Sequence, residues 1–287
     1  MDWINAIIQG ILLGGLYALF AAGLSLIFGV MRLVNIAHGD LIVLAAYLGL
    51  STVTLLGVHP FLALLVVIPL MALIGYALQR GILNKTLGDD ILPPLLVTFG
   101  LSVIIQNSLL EIYSADPQKM NVGALETASL SVMDLSLGVL PLMTFVIAVV
   151  IVAALHWMFY HTALGRAFRA VSDNQDIAQL MGLNRRHIFG LAMALSLVGT
   201  AVAGLMIGVR TNFDPSIGGA RLIFGFEAVI IGGLGNLWGT LIGGVILGVA
   251  QTIGAQINPG WQLLAGHLTF LVILTIRPRG LFPRMTG

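Results

Sequence analysis

Few side chains in this sequence can do acid–base or ligand chemistry. Glu227 lies in 222–234, an apolar run interrupted by Gly225, Gly232 and Gly233. A carboxylate in such a run faces protein or water rather than lipid. It could touch a substrate, line a pathway, or pair with Arg221 or Arg210; the favoured role is a structural bond fixing its short helix. His38 and Asp40 flank Gly39 in the polar run 32–40, where an imidazole beside a carboxylate can titrate near neutral pH. With Asn35 they suit hydrogen bonding within a broken helix better than ligand binding. Thr98, Ser102 and Gln106 recur at i, i+4 and i+8, one stripe of a helix that opens with Pro93 and Pro94. A polar stripe must face a cavity or neighbouring helices, and interhelical hydrogen bonding explains it as well as a pathway does.

Other chemistry is excluded. Cysteine is absent, which removes disulfides and thiolate catalysis. A phosphate-cradling loop needs Gly-x4-Gly-Lys-Ser/Thr. The one Lys followed by Ser or Thr is Lys85, and Asn84 precedes it. Neither HExxH nor GxSxG occurs. No catalytic residue and no metal ligand set is assigned. A net charge of +1 gives no footprint for nucleic acid.

The elements that position these residues follow from where charge is missing. Hydrophobic residues make up 58% and charged residues 9%, against about 25% charged in a soluble domain. Charge-free stretches run over 3–31, 41–79, 91–110, 135–165, 187–209 and 228–276. Each reaches the roughly 20 residues that a lipid-spanning helix needs. They are continuous rather than alternating, which excludes a transmembrane barrel. The first follows Met1 and Asp2 without a basic n-region and reads as a retained helix, not a signal peptide. Breaks at 57–60 and 257–260 split two stretches, giving eight long spans.

Basic residues orient the chain. Arg80 and Lys85, then Arg166, Arg169, Arg185 and Arg186, then Arg277, Arg279 and Arg284 fall in three segments that read as cytoplasmic. Another crossing is then required between 211 and 235. The segment 222–234 supplies it, although it reaches only about 20 Å at 1.5 Å per residue, short of the ~30 Å hydrocarbon core. Short, glycine-interrupted and charged, it fits a discontinuous helix lining a cavity. The expectation is an all-α, polytopic membrane domain over 1–287, with eight or nine helices including short or broken ones. Its N-terminus lies outside and its C-terminus in the cytoplasm. GxxxG pairs at Gly10/Gly14, Gly204/Gly208, Gly239/Gly243 and Gly244/Gly248 predict close helix packing.

Two extramembrane segments stand out. The extracytoplasmic 113–134, with Asp116, Lys119, Glu126 and Asp134, reads as a connector slightly better than as a docking surface. The cytoplasmic 162–187 predicts a short amphipathic helix. Arg169 and Asp173 are spaced to pair, Ala167, Val171, Ala178 and Met181 offer apolar surface, Gly182 ends the helix, and Asn184 caps the next span.

This segment also carries a family resemblance. Gly165-Arg166-Ala167-Phe168-Arg169-Ala170, followed by Ala178 to Gly182 as Ala-Gln-Leu-Met-Gly, resembles the coupling loop of high-affinity branched-chain amino acid permeases of ABC importers. The runs 23–29 and 35–39, the glycine-rich 232–240 with Gly243 and Gly244, and 277–282 are similar to that family as well, so nearly the whole chain is covered. The resemblance implies a pathway-forming subunit of a bacterial inner-membrane importer, paired with a second permease. It also implies two cytoplasmic ATPases that carry ATP and Mg, an extracytoplasmic substrate-binding protein, and no cofactor on this chain. Gly165, Arg166, Arg169, Ala170, Asp173, Ala178 and Gly182 would couple to the ATPase. Pathway candidates are Asn35, His38, Asp40, Thr98, Ser102, Gln106, Glu227, Gly232 and Gly233. Related permeases serve urea, amides or aromatic acids; an ion-coupled secondary transporter through Glu227 and Asp40, or a passive channel, are the readings from other classes.

Overall fold

The computed structural model describes residues 2–88, 90, 92–132 and 135–282. Asp134 and Arg284 lie outside the described residues. The helices are α1 (Asp2–Met31), α2 (His38–Leu56), α3 (Pro60–Gly81), α4 (Leu92–Tyr113), α5 (Val139–His161), α6 (Ala163–Asp173), α7 (Gln175–Leu180), α8 (Arg185–Arg210), α9 (Gly218–Gly232), α10 (Leu237–Ile257) and α11 (Gln262–Ile276). A small antiparallel hairpin pairs β1 (Ser129–Val132) with β2 (Leu135–Gly138). Among the described residues, 9 segments are long and apolar enough to cross a membrane, including Pro215–Gly232 with α9. The protein is a polytopic, all-α membrane protein.

Helix ends follow local chemistry. Gly57 ends α2 with a φ of 64°, and His59 caps α3 ahead of Pro60, whose fixed φ suits a first helical position. Asn184, Asn236 and Asn258 accept backbone N–H groups at the starts of α8, α10 and the short turn before α11.

The bundle has a buried centre and a lipid-suited rim. Of the most apolar windows of α1 and α8, 83% and 78% is buried, against 11% for α4 and 6% for the last span. The outer helices instead expose Leu96, Phe99, Ile104, Leu271 and Val272. The tightest seam joins α1 to α10, where Gly10 and Gly14 face Gly248 and Gly244. A methyl group on Gly248 would strike the Gly10 carbonyl, and one on Gly14 would strike Val245.

Two helices begin inside the bundle. After Met31 the chain reverses through Arg32, at a φ of 54°, and α2 starts at the buried His38. His38 Nε2 lies 3.1 Å from the Phe20 carbonyl oxygen. Phe20 is roughly 16 Å back along α1 at 1.5 Å per residue, so α2 opens near mid-depth. The start of α9 meets it there. A methyl group on Gly39 would strike the Gly218 carbonyl, and one on Gly218 would strike Asp40 Oδ1.

Contacts at the two rims fix which ends lie together. Ser172 on α6 donates to the Gly29 carbonyl at 2.8 Å, joining α6 to the end of α1. The tail after α11 joins the end of α9 through Leu281 N–H to the Ile231 carbonyl and Phe282 N–H to the Gly232 carbonyl. Gly29 in turn lies against Gly235, so α1 starts and α11 ends at opposite rims. At the far rim the loop after α4 is pinned: Met120 N–H donates to the Gly208 carbonyl at 2.7 Å, Gln118 bridges Phe213, and Met120 and Val122 are buried.

Candidate translocation and coupling sites

The bend at 35–40 and the start of α4 form one polar cluster. Asn35 Oδ1 accepts from Ala37 N–H at 3.1 Å, and the Ile36 N–H donates to Thr98 Oγ1 at 3.3 Å. Ser102 Oγ donates to Asp40 Oδ2 at 2.5 Å. The structure thus joins Asn35, His38, Asp40, Thr98 and Ser102, with Gln106 half-buried one turn further along α4. These bonds hold an irregular backbone that could not face lipid unsatisfied.

Glu227 belongs to a second cluster. Its Oε1 lies 2.5 Å from His267 Nδ1 on α11, so its partner is neither Arg221 nor Arg210. Phe224 lies between His267, on which it stacks, and Tyr17, to which it is tilted, with centroids at 6.2 Å and 5.0 Å. Tyr17 donates to Gln251 Oε1 at 2.5 Å. Sequence reasoning passed over His267, Tyr17 and Gln251. A signal for two of them existed: Tyr17 extends the Gly10/Gly14 face and Gln251 the Gly244/Gly248 face by one turn each. Gly232 and Gly233 lie at the end of α9, where Gly233 takes a φ of 105° and Gly232 abuts the Gly239 backbone.

The segment after α5 folds as two helices rather than one. Asn174 stops α6 and caps α7, accepting from the Asp176 and Ile177 N–H groups. Arg169 donates to the Phe159 carbonyl and lies over the Tyr160 ring at 5.3 Å instead of pairing with Asp173. Gly165 and Ala178 are buried, Ala170 and Arg169 half-buried, and Arg166, Asp173 and Gly182 exposed. Gly182 ends α7 at a φ of 87°. The outward side of α7 carries Ile177, Leu180 and Met181, at 55%, 87% and 78% exposure. Arg185 ties the base of α8 to Gln175 at 2.7 Å, so α7 is braced against a central helix.

At the far rim, Lys119 bonds Glu126 at 3.0 Å and holds its carboxyl below the usual glutamate range. No group of three or more metal-ligating side chains occurs among the described residues.

Comparison with known proteins agrees with this architecture. The family model for the permease component of the branched-chain amino acid transport system matches residues 6–276. The permease protein BraD of Pseudomonas aeruginosa's high-affinity branched-chain amino acid transport system is 26% identical, over 98% of this chain and 96% of that one. LivH of Escherichia coli is 27% identical over the same shares. A probable LivH of Methanocaldococcus jannaschii is 28% identical over 86% of this chain and 80% of its own. Among solved structures, PsaBC from Streptococcus pneumoniae in complex with Fab shares the fold, with a TM-score of 0.50, 16% identity and coverage of 94% and 91%. A membrane bundle whose second helix begins inside it and whose short α7 is braced against α8, matched by one family model over nearly its whole length, belongs to the branched-chain amino acid transport system permease component family.

Proposed function

We propose that this chain is the pathway-forming permease subunit of an ATP-driven bacterial importer for branched-chain or related hydrophobic amino acids, in the cytoplasmic membrane. The N-terminus lies outside, and α6, α7 and the C-terminus face the cytoplasm, where the basic residues gather. Its partners are a second permease, two ATPases that hold ATP and Mg, and an extracytoplasmic binding protein. The observation that carries the reading is α7, a short helix presenting Ile177, Leu180 and Met181 to the outside while Arg185 braces it against α8. An apolar tip on a rigid stem suits insertion into a groove of a moving partner. In this reading Arg166 and Asp173 meet the ATPase directly, and Gly165, Arg169, Ala170, Ala178 and Gly182 set the shape that α7 presents. The clusters around Asp40 and Glu227, with Gly232 and Gly233, border the path, and the apolar surroundings suit an aliphatic side chain.

Expressed with its genomic neighbours, the chain should retain an ATPase on purification. Leu180→Asp together with Met181→Asp should weaken that retention at least tenfold, about 1.4 kcal/mol of binding, while the permease still enters the membrane. Amino acid uptake by this chain alone, without ATP, would sink the reading.

A further inference from the structure

Two arginines each hold a buried nitrogen that has no hydrogen-bond partner. Arg210 closes α8 and Arg221 lies in the first turn of α9, joined by the short link 211–217. Both residues are half-buried, yet Arg210 Nη1 and Arg221 Nε are sealed from solvent with no hydrogen-bond partner. Ion pairs among the described residues join Lys119 to Glu126 and His267 to Glu227, so neither arginine has a carboxylate. Asp214 is near Arg221, but its Oδ1 is engaged by the Ser216 N–H and hydroxyl.

These side chains gather near Tyr17. Arg221 precedes Phe224 by one turn of α9, and the Phe224 ring centroid lies 5.0 Å from that of Tyr17. Arg210, Arg221 and Glu227 are all within electrostatic reach of the Tyr17 hydroxyl. That hydroxyl donates to Gln251 Oε1, which leaves Gln251 Nε2 buried and unpartnered. Around one tyrosine, then, three buried donors are unmet and two of them are cationic. A guanidinium stays charged and its planar fork matches a carboxylate. Each unmet buried donor calls for a partner. The position fits as well, because α9 is one of the two helices that begin inside the bundle, and discontinuous helices border substrate sites in transporters. Phe224, packed against Tyr17, supplies an apolar wall.

We propose that Arg210 and Arg221, assisted by Gln251 Nε2, bind the carboxylate of the amino acid in transit. The inference rests on the reading that the cargo is an amino acid. A phospholipid phosphate offers the same oxyanion chemistry, and the experiment separates the two.

The complete transporter, with its ATPases and binding protein, is reconstituted in phosphatidylcholine vesicles, and leucine moved per ATP hydrolysed is measured. Arg210→Gln and Arg221→Gln should each lower that ratio at least tenfold. Arg210→Lys and Arg221→Lys, which keep the charge and lose the fork, should fall in between. Glutamine variants that transport at the wild-type ratio overturn the proposal. If they do not assemble, the lysine variants decide: a several-fold drop supports it and a wild-type ratio overturns it. A wild-type protein active only when anionic phospholipid is added, with that dependence lost in the glutamine variants, assigns the arginines to lipid and overturns it too. A wild-type transporter that moves no amino acid refutes the functional reading instead.

Discussion

Asp40 joins three helices: it sits in the first turn of α2, its carboxylate accepts from Ser102 on α4, and it lies against Gly218 at the start of α9. Close approach is possible because Gly218 has no side chain, so Gly218→Ala should cost about 1–3 kcal/mol through overpacking. Its thermal midpoint should fall and uptake should be lost. Gly219→Ala, where a methyl group meets open space, should match wild type in both measurements. Residue chemistry was only partly legible in the sequence. Glu227 stood out as a costly carboxylate in an apolar run, but its partner did not. Arg221 and Arg210 were near in sequence, whereas His267 is 40 residues away on another helix. Arg169 had the spacing to pair with Asp173, and the Phe159 carbonyl at the end of α5 took it instead.

Elements were easier to read where caps mark them. Asn184 and Gly182 announced a helix start and stop that the structure contains. Asn174 carried the same signal and divides 162–187 into α6 and α7, a break that hydrophobic periodicity alone smooths over. The loop after α4 read as a connector; its anchoring came from backbone bonds to Gly208 and Phe213 that no composition encodes. Lys119 adds a pH-sensitive tie there. Because the pair lowers the folded-state pKa of Glu126, its contribution is present above the unfolded value, about 4.3. It is lost as pH falls through the lower folded value. Protection of the backbone amides around 119–126, taken relative to the intrinsic exchange rate at each pH, should therefore fall below about pH 4, and Lys119→Ala should abolish that pH dependence. Equal acid sensitivity in the variant would remove the pair from the account.

At the scale of the whole molecule, the span count was legible because a bilayer imposes a length and the scarce charges mark its borders. The depth of the bend was not, since a polar run such as 32–40 reads equally as a turn at the surface. Nor did the sequence show that the tail straps the bundle. Leu281 and Phe282 satisfy the last carbonyls of α9, and Asn236 Nδ2 donates to the Phe282 carbonyl at 3.0 Å. Truncation after Arg279 should leave those carbonyls unmet at a cost of about 1–3 kcal/mol each. Lower solubilised yield and a reduced thermal midpoint would show it, and an unaltered midpoint would make the strap incidental.

The meeting of α2 and α9 also sets a timetable for biogenesis. Gly218 leaves the ribosome about 180 residues after Asp40, so at ~5–20 residues per second the polar bend waits roughly 10–35 s for its counterpart. Until then the nascent chain holds an aspartate and a histidine with no finished bundle to bury them in. The Phe20 carbonyl is there for His38 from the start and Ser102 follows Asp40 by 62 residues, so the packing against α9 is the last contact the bend acquires, near the end of synthesis.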